Sequence, residues 1–101
     1  MRVLIGNTLA YAVDRFCPTA RDGKRVLKEN AVSMLYIDHQ LLGRETGTDT
    51  LHWSLQNNLT PRWVVLVSPN RSRRLAMGGL LEARGYRSVD GINFQKISAR
   101  S

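Results

Sequence analysis

A single α/β domain spanning residues 1–101, three layers deep with a parallel sheet between helices, is the fold class the sequence predicts. Three observations point there. Three short apolar runs each stop abruptly at small or polar residues, as strands do where they leave a buried sheet. Helix-periodic segments separate these runs. The length of 101 residues accommodates one hydrophobic core and not two.

The first strand is predicted over Arg2 to Ile5, ending at Gly6-Asn7. The second covers Val32 to Ile37 and ends at Asp38-His39; the third covers Arg62 to Val67 and ends at Ser68-Pro69-Asn70. A fourth is expected over Tyr86 to Val89, with Ile92 to Ile97 either extending it or folding back as a hairpin. Between these, Leu51, Leu55 and Leu59 recur every four residues, so a helix is expected there, capped at its start by Asp49 or Thr50. Leu75, Met77, Leu80, Leu81 and Ala83 form another apolar stripe, with Gly85 placed to stop it. Gly78-Gly79 inside that stripe costs roughly 1 kcal/mol per glycine relative to alanine, which a close approach to the sheet would explain. Leu9, Val13 and Phe16 suggest a helix after the first strand, and Arg21 to Asn30 reads as a second helix or as a strand and turn.

Composition narrows the partners. Apolar residues make up 43% of the chain, which argues against disorder over most of its length. No stretch approaches the roughly 20 apolar residues of a membrane span, and Met1 to Ile5 breaks at Gly6-Asn7 before a signal-peptide core develops. The one cysteine, Cys17, forms no internal disulfide, which fits a reducing, cytoplasmic setting. It precedes Pro18 in a segment expected to be a loop, and reads as a spare thiol. The formal charge is +7, and twelve of the fifteen cations are arginine. Arginine grips phosphate with a planar fork of donors. The partners expected are therefore phosphorylated nucleotides, nucleic acid or an acidic protein surface, with no membrane.

In open parallel sheets, ligands bind outside the carboxyl ends of the strands. That rule gathers Gly6-Asn7, Asp38-His39 and Ser68-Pro69-Asn70 at one rim. Asp38 there either holds Mg²⁺, orients His39, acts as a base, or caps its own loop through backbone N–H groups. As a magnesium ligand it stands alone, unless Asp49 or Glu45 supplies a second carboxylate. His39 suits general acid or base work near neutral pH; a packed structural role is the plainer reading. No Cys/His cluster suggests zinc. The loop from Leu41 to Asp49 has glycines that permit close backbone approach, but lacks the Gly-Lys-Ser/Thr of a Walker loop. Ser68 or Asn70 is placed to cap the next helix, whose first turn carries Arg71, Arg73 and Arg74. Cations there oppose the helix dipole, so a bound phosphate would relieve a local conflict; otherwise this is a basic, solvent-facing turn.

With those strand ends established, the chain resembles the receiver superfamily, whose fold is flavodoxin-like, and most closely its cyclic-phosphate processing domains. The resemblance rests on Asp38-His39 after a strand, Thr46-Gly47-Thr48-Asp49 in the following loop, and Ser68-Pro69-Asn70 after the next strand, and covers roughly Val32 to Arg74. It implies catalytic roles for Asp38, His39 and Asp49, and phosphate binding by Thr46, Ser68, Asn70, Arg71, Arg73 and Arg74. Gly6-Asn7 stands where the family usually has an acidic pair, Val67 where a histidine commonly precedes the serine, and Arg87 is the only cation near the usual lysine. The expected function is thus a degenerate receiver-like module that binds a phosphorylated nucleotide, nucleic acid or partner protein at its carboxyl rim. The alternative is a phosphohydrolase or phosphotransferase for cyclic-phosphate nucleotide or RNA ends, using Asp38 and His39.

Overall fold

The computed structural model describes residues 1–8 and 11–97. The strands are β1 (Arg2–Ile5), β2 (Arg15–Cys17), β3 (Met34–Ile37), β4 (Trp63–Leu66), β5 (Tyr86–Arg87) and β6 (Asn93–Lys96). The helices are α1 (Ala20–Glu29), α2 (Gly47–Gln56) and α3 (Arg71–Glu82). One sheet of six strands runs in the order β2-β1-β3-β4-β6-β5. No described helix is long and apolar enough to cross a membrane.

The sheet is mixed, which corrects the all-parallel expectation. β2, β1, β3 and β4 are parallel, whereas β6 pairs antiparallel with both β4 and β5. The cause is local. Asp90 accepts from the backbone N–H groups of Ile92 and Asn93, and Gly91 takes a positive φ of 74°, so the chain reverses between β5 and β6. Of the two readings offered for this region, the hairpin is the one observed.

A second correction concerns layers. Side chains alternate across a strand, so the register assigns each position to a face. Val3, Ile5, Cys17, Leu35, Ile37, Val64, Leu66 and Phe94 share one face and one buried cluster with Val26 and Leu27 of α1, Leu51 and Leu55 of α2, and Met77 and Leu81 of α3. A Cβ added at Gly23 of α1 would lie 2.7 Å from Ile5, and one at Gly78 of α3 would lie 3.0 Å from Phe94. Both helices therefore rest on that same face, and α2 packs between them. The described residues make two layers where three were expected.

The expected helix through Leu9, Val13 and Phe16 is the reason. Leu9 lies outside the described residues, but Phe16 is in β2, and Tyr11 of the connection stacks on Tyr36 at a 5.0 Å centroid distance. Tyr36 sits on the face away from the helices, and residues 11–14, where a covering helix was expected, are not helical. Cys17 accordingly closes a strand and is buried rather than lying in a loop. Arg21 to Asn30 is the helix of its two readings, burying Ala20, Gly23, Val26 and Leu27. In α3 the stripe buries Met77 and Leu81 but leaves Leu75 65% exposed. Gly78 explains itself by contact with Phe94; a Cβ at Gly79 meets nothing within 4 Å.

Candidate functional site

The carboxyl ends of β1, β3 and β4 do meet. A pocket of about 350 Å³ at this rim is lined by Asn7, Thr8, Asp38, His39, Gln40, Ser68, Pro69, Asn70 and Arg73. Five expected site residues thus converge: Asp38, His39, Ser68, Asn70 and Arg73.

The Asp38-His39 corner is shaped by the helix that follows it. Thr46 caps α2, its hydroxyl accepting from the Asp49 N–H at 3.1 Å while the Asp49 carboxylate accepts from the Thr46 N–H at 3.3 Å. The cap expected at Asp49 or Thr50 therefore falls on Thr46. Gly47 donates its N–H to the His39 carbonyl at 2.8 Å. A Cβ on Gly47 would lie 1.5 Å from the Asp38 carbonyl oxygen, so only glycine lets α2 begin against this corner. Thr48 then reaches the imidazole, its Oγ1 lying 2.7 Å from His39 Nδ1.

The other ring nitrogen, Nε2, contacts a guanidinium nitrogen of Arg73. Arginine only donates, so Nε2 is the acceptor and carries no proton in this arrangement. The ring proton then sits on Nδ1, which donates to Thr48. His39 is thus held as one neutral tautomer between two helix starts. Asp38 does not orient it. The buried Asp38 carboxylate accepts instead from the Gln40 N–H at 3.3 Å, the loop-capping role weighed for it from sequence.

On the opposite wall, Asn70 caps α3 by accepting from the Arg73 N–H at 3.0 Å, and buried Ser68 Oγ accepts from the Asn70 N–H at 3.3 Å. The first turn of α3 holds no acidic residue. Its three arginines differ in what they do. Arg73 lines the pocket; Arg74 donates to the Ser68 carbonyl at 2.8 Å and so braces the loop; Arg71 is exposed and outside the pocket lining.

Thr46 and Asp49, expected as phosphate-binding and catalytic groups, spend their side chains on the capping box and do not line the pocket. Glu45 pairs with Lys24 at 2.7 Å. Asp38 is the one carboxylate in the lining, and no group of three His, Cys, Asp or Glu side chains among the described residues is arranged to hold a metal. Magnesium would find one carboxylate here and would need a ligand's phosphate oxygens and water for the rest. Thr8, Gln40 and the role of Thr48 were not foreseen. Thr48 occupies the variable position of Thr-Gly-x-Asp, and its partner nine residues earlier is visible only once α2 is docked.

A scan against protein-family models finds no match to this chain, and a search of curated proteins finds none either.

Proposed function

We propose that the carboxyl rim is a binding site for a phosphorylated nucleotide or nucleic-acid end, carried on a degenerate receiver-like scaffold. The observation that supports it best is the placement of Arg73. Its guanidinium stands in the pocket at the start of a helix whose first turn has no acidic partner for it, and its contact is a neutral imidazole nitrogen. Thr8, Asn7, Gln40, Ser68 and Asn70 supply further hydrogen-bonding groups around the same space. A phosphoryl group seated there would pair with the guanidinium and meet the positive end of α3.

The test is binding of a nucleoside monophosphate against its unphosphorylated nucleoside, by calorimetry. Wild-type protein should prefer the phosphorylated form. Arg73→Ala should lose about tenfold or more of that preference, from a charged hydrogen bond worth about 1.5–3 kcal/mol. Arg71→Ala should lose little. Equal affinity for nucleoside and nucleotide would overturn the proposal.

One observation favours a catalytic second reading. The unprotonated Nε2 of His39 faces the pocket, where it could take a proton from water attacking a cyclic phosphate. Arg73 would swing from Nε2 to the phosphate as the ligand enters. Hydrolysis of a nucleoside 2′,3′-cyclic phosphate that vanishes in His39→Ala would establish this reading. Hydrolysis unchanged by that substitution would end it.

A further inference from the structure

The sheet face away from the helices has a composition of its own. By register, one row across it reads Arg2, Met34, Trp63, Gln95 and Arg87, and the next reads Phe16, Leu4, Tyr36, Val65 and Asn93. The aliphatic members are largely withdrawn from solvent: Leu4 is fully buried, and Met34 and Val65 are half-buried. What stands exposed is aromatic, cationic or amide. Trp63 is 42% exposed, Phe16 36%, and Tyr11, stacked over Tyr36, 40%. Arg2 and Arg87 flank the row that holds Trp63, and none of the strands among the described residues contains an acidic residue. The nearby carboxylates are engaged by backbone, Asp14 by the Arg2 N–H at 2.7 Å and Asp90 by the β5–β6 turn.

We infer that this face is a stacking platform for single-stranded nucleic acid. Charge complementarity selects that occupant. A second copy would set arginines against arginines on molecules that each carry +7, and a helix packing there would want exposed aliphatic surface where this face offers rings and cations. Bases stack on aromatic rings regardless of sequence, while arginines follow the phosphates. Phe16 on β2 and Trp63 on β4 lie three strand spacings and one row apart, about 16 Å at roughly 4.8 Å per strand and 3.3 Å per residue, with the Tyr11–Tyr36 pair between them. That span suits two or three unstacked nucleotides, and the amides of Asn93 and Gln95 can meet base edges. Asp38 continues the alternation of Met34 and Tyr36, so the rim pocket opens at the top of this same face.

The inference rests in part on the proposed function, because a strand whose phosphorylated end sits by Arg73 would run down the platform. The test uses fluorescently labelled eight-nucleotide single-stranded RNA, with and without a terminal phosphate, and the corresponding blunt duplex. The single strand should bind better than the duplex. Trp63→Ala and Phe16→Ala should each weaken it about tenfold, and losing both Arg2 and Arg87 should reduce the salt dependence by about two ion equivalents. In a Trp53→Phe background, quenching of Trp63 fluorescence on binding reports stacking without altering the platform. If the aromatic variants bind normally while the terminal-phosphate preference and its Arg73 dependence persist, the platform is refuted and the rim reading stands. If the aromatic variants fail and the terminal phosphate makes no difference, the platform stands and the rim reading falls. Tighter duplex binding, or a Trp63-dependent dimer that binds no RNA, refutes the platform.

Discussion

Replacing Gly47 by alanine tests the central structural statement about the site, that α2 is seated directly on the Asp38-His39 backbone. The added Cβ would start 1.5 Å from the Asp38 carbonyl oxygen, where ordinary contact begins near 3.4 Å, so α2 or the corner must move by the difference, close to 2 Å. Backbone offers no rotamer by which to yield. That displacement breaks the Gly47 N–H bond to the His39 carbonyl, now 2.8 Å, and pulls Thr48 from the imidazole, now 2.7 Å. Two hydrogen bonds at about 1 kcal/mol each and an overpacking strain of about 1–3 kcal/mol outweigh the gain of at most about 1 kcal/mol in helix propensity. The expected net loss is about 3 kcal/mol. In urea, with a slope of about 1.5 kcal/mol per molar, the unfolding midpoint should fall by about 2 M. Gly79→Ala is the internal contrast. It is helical and exposed, and its Cβ meets nothing within 4 Å, so it should stabilise by about 0.5–1 kcal/mol. A Gly47→Ala protein with wild-type stability would refute the seating of α2.

Three further outcomes follow from the same packing. Burial raises the Cys17 thiol to about 11, with Asp22 adding to the shift and Arg15 opposing it. At pH 8 its thiolate fraction is on the order of one in a thousand, so iodoacetamide should label it at least a hundredfold faster in denaturant than in the folded protein. Burial likewise raises the Tyr86 phenol to about 12, from an ordinary 10.0, and the phenol donates to the Pro61 carbonyl at 2.6 Å. Between pH 10 and 12 the unfolded chain releases this proton and the folded chain keeps it, so stability should decline as pH rises through that window. Tyr86→Phe should remove that decline at a cost of about 1–2 kcal/mol near neutrality, read by urea unfolding at a series of pH values. Neutral His39 should carry its proton on Nδ1, visible in long-range ¹H–¹⁵N spectra, and Thr48→Val should release that preference; an Nε2–H tautomer in the wild type would contradict the assignment.

Much of the fold was legible because the strands and helices announce themselves locally. The apolar runs at Val3–Ile5, Leu35–Ile37 and Val64–Leu66 are buried strands, and the Leu51–Leu55 and Met77–Leu81 stripes face the core. The misread helix after the first strand turned on a partner distant in sequence. Phe16 has helical spacing from Val13, yet pairing of Arg15–Cys17 with Val3–Ile5 decides its state. Periodicity cannot detect a parallel partner twelve residues away. The hairpin was offered as one of two options, and the hydrogen bonds of Asp90 settle it. At the site, the strand ends do bring Asp38, His39, Ser68 and Asn70 into one pocket lining. It did not sort the side chains of Thr46 and Asp49, whose spacing of three fits a capping box as well as a ligand cradle.

That distinction changes how Thr-Gly-x-Asp functions here. Thr46 and Asp49 complete the helix start, Gly47 lets it touch the strand end, and Thr48 fixes the imidazole. The four residues position His39, and none of them lines the pocket. There, Ser68 continues the helix-facing alternation of Val64 and Leu66, while Asp38 continues the open-facing alternation of Met34 and Tyr36. The pocket therefore straddles the rim of the sheet, with the Arg73 wall on the helix side and the Asp38 wall on the open side. Under the proposed reading, a ligand anchored at Arg73 would extend past Asp38 toward the face carrying Tyr11 and Trp63. Ligands longer than a mononucleotide should be the ones that distinguish this domain from a phosphate site alone.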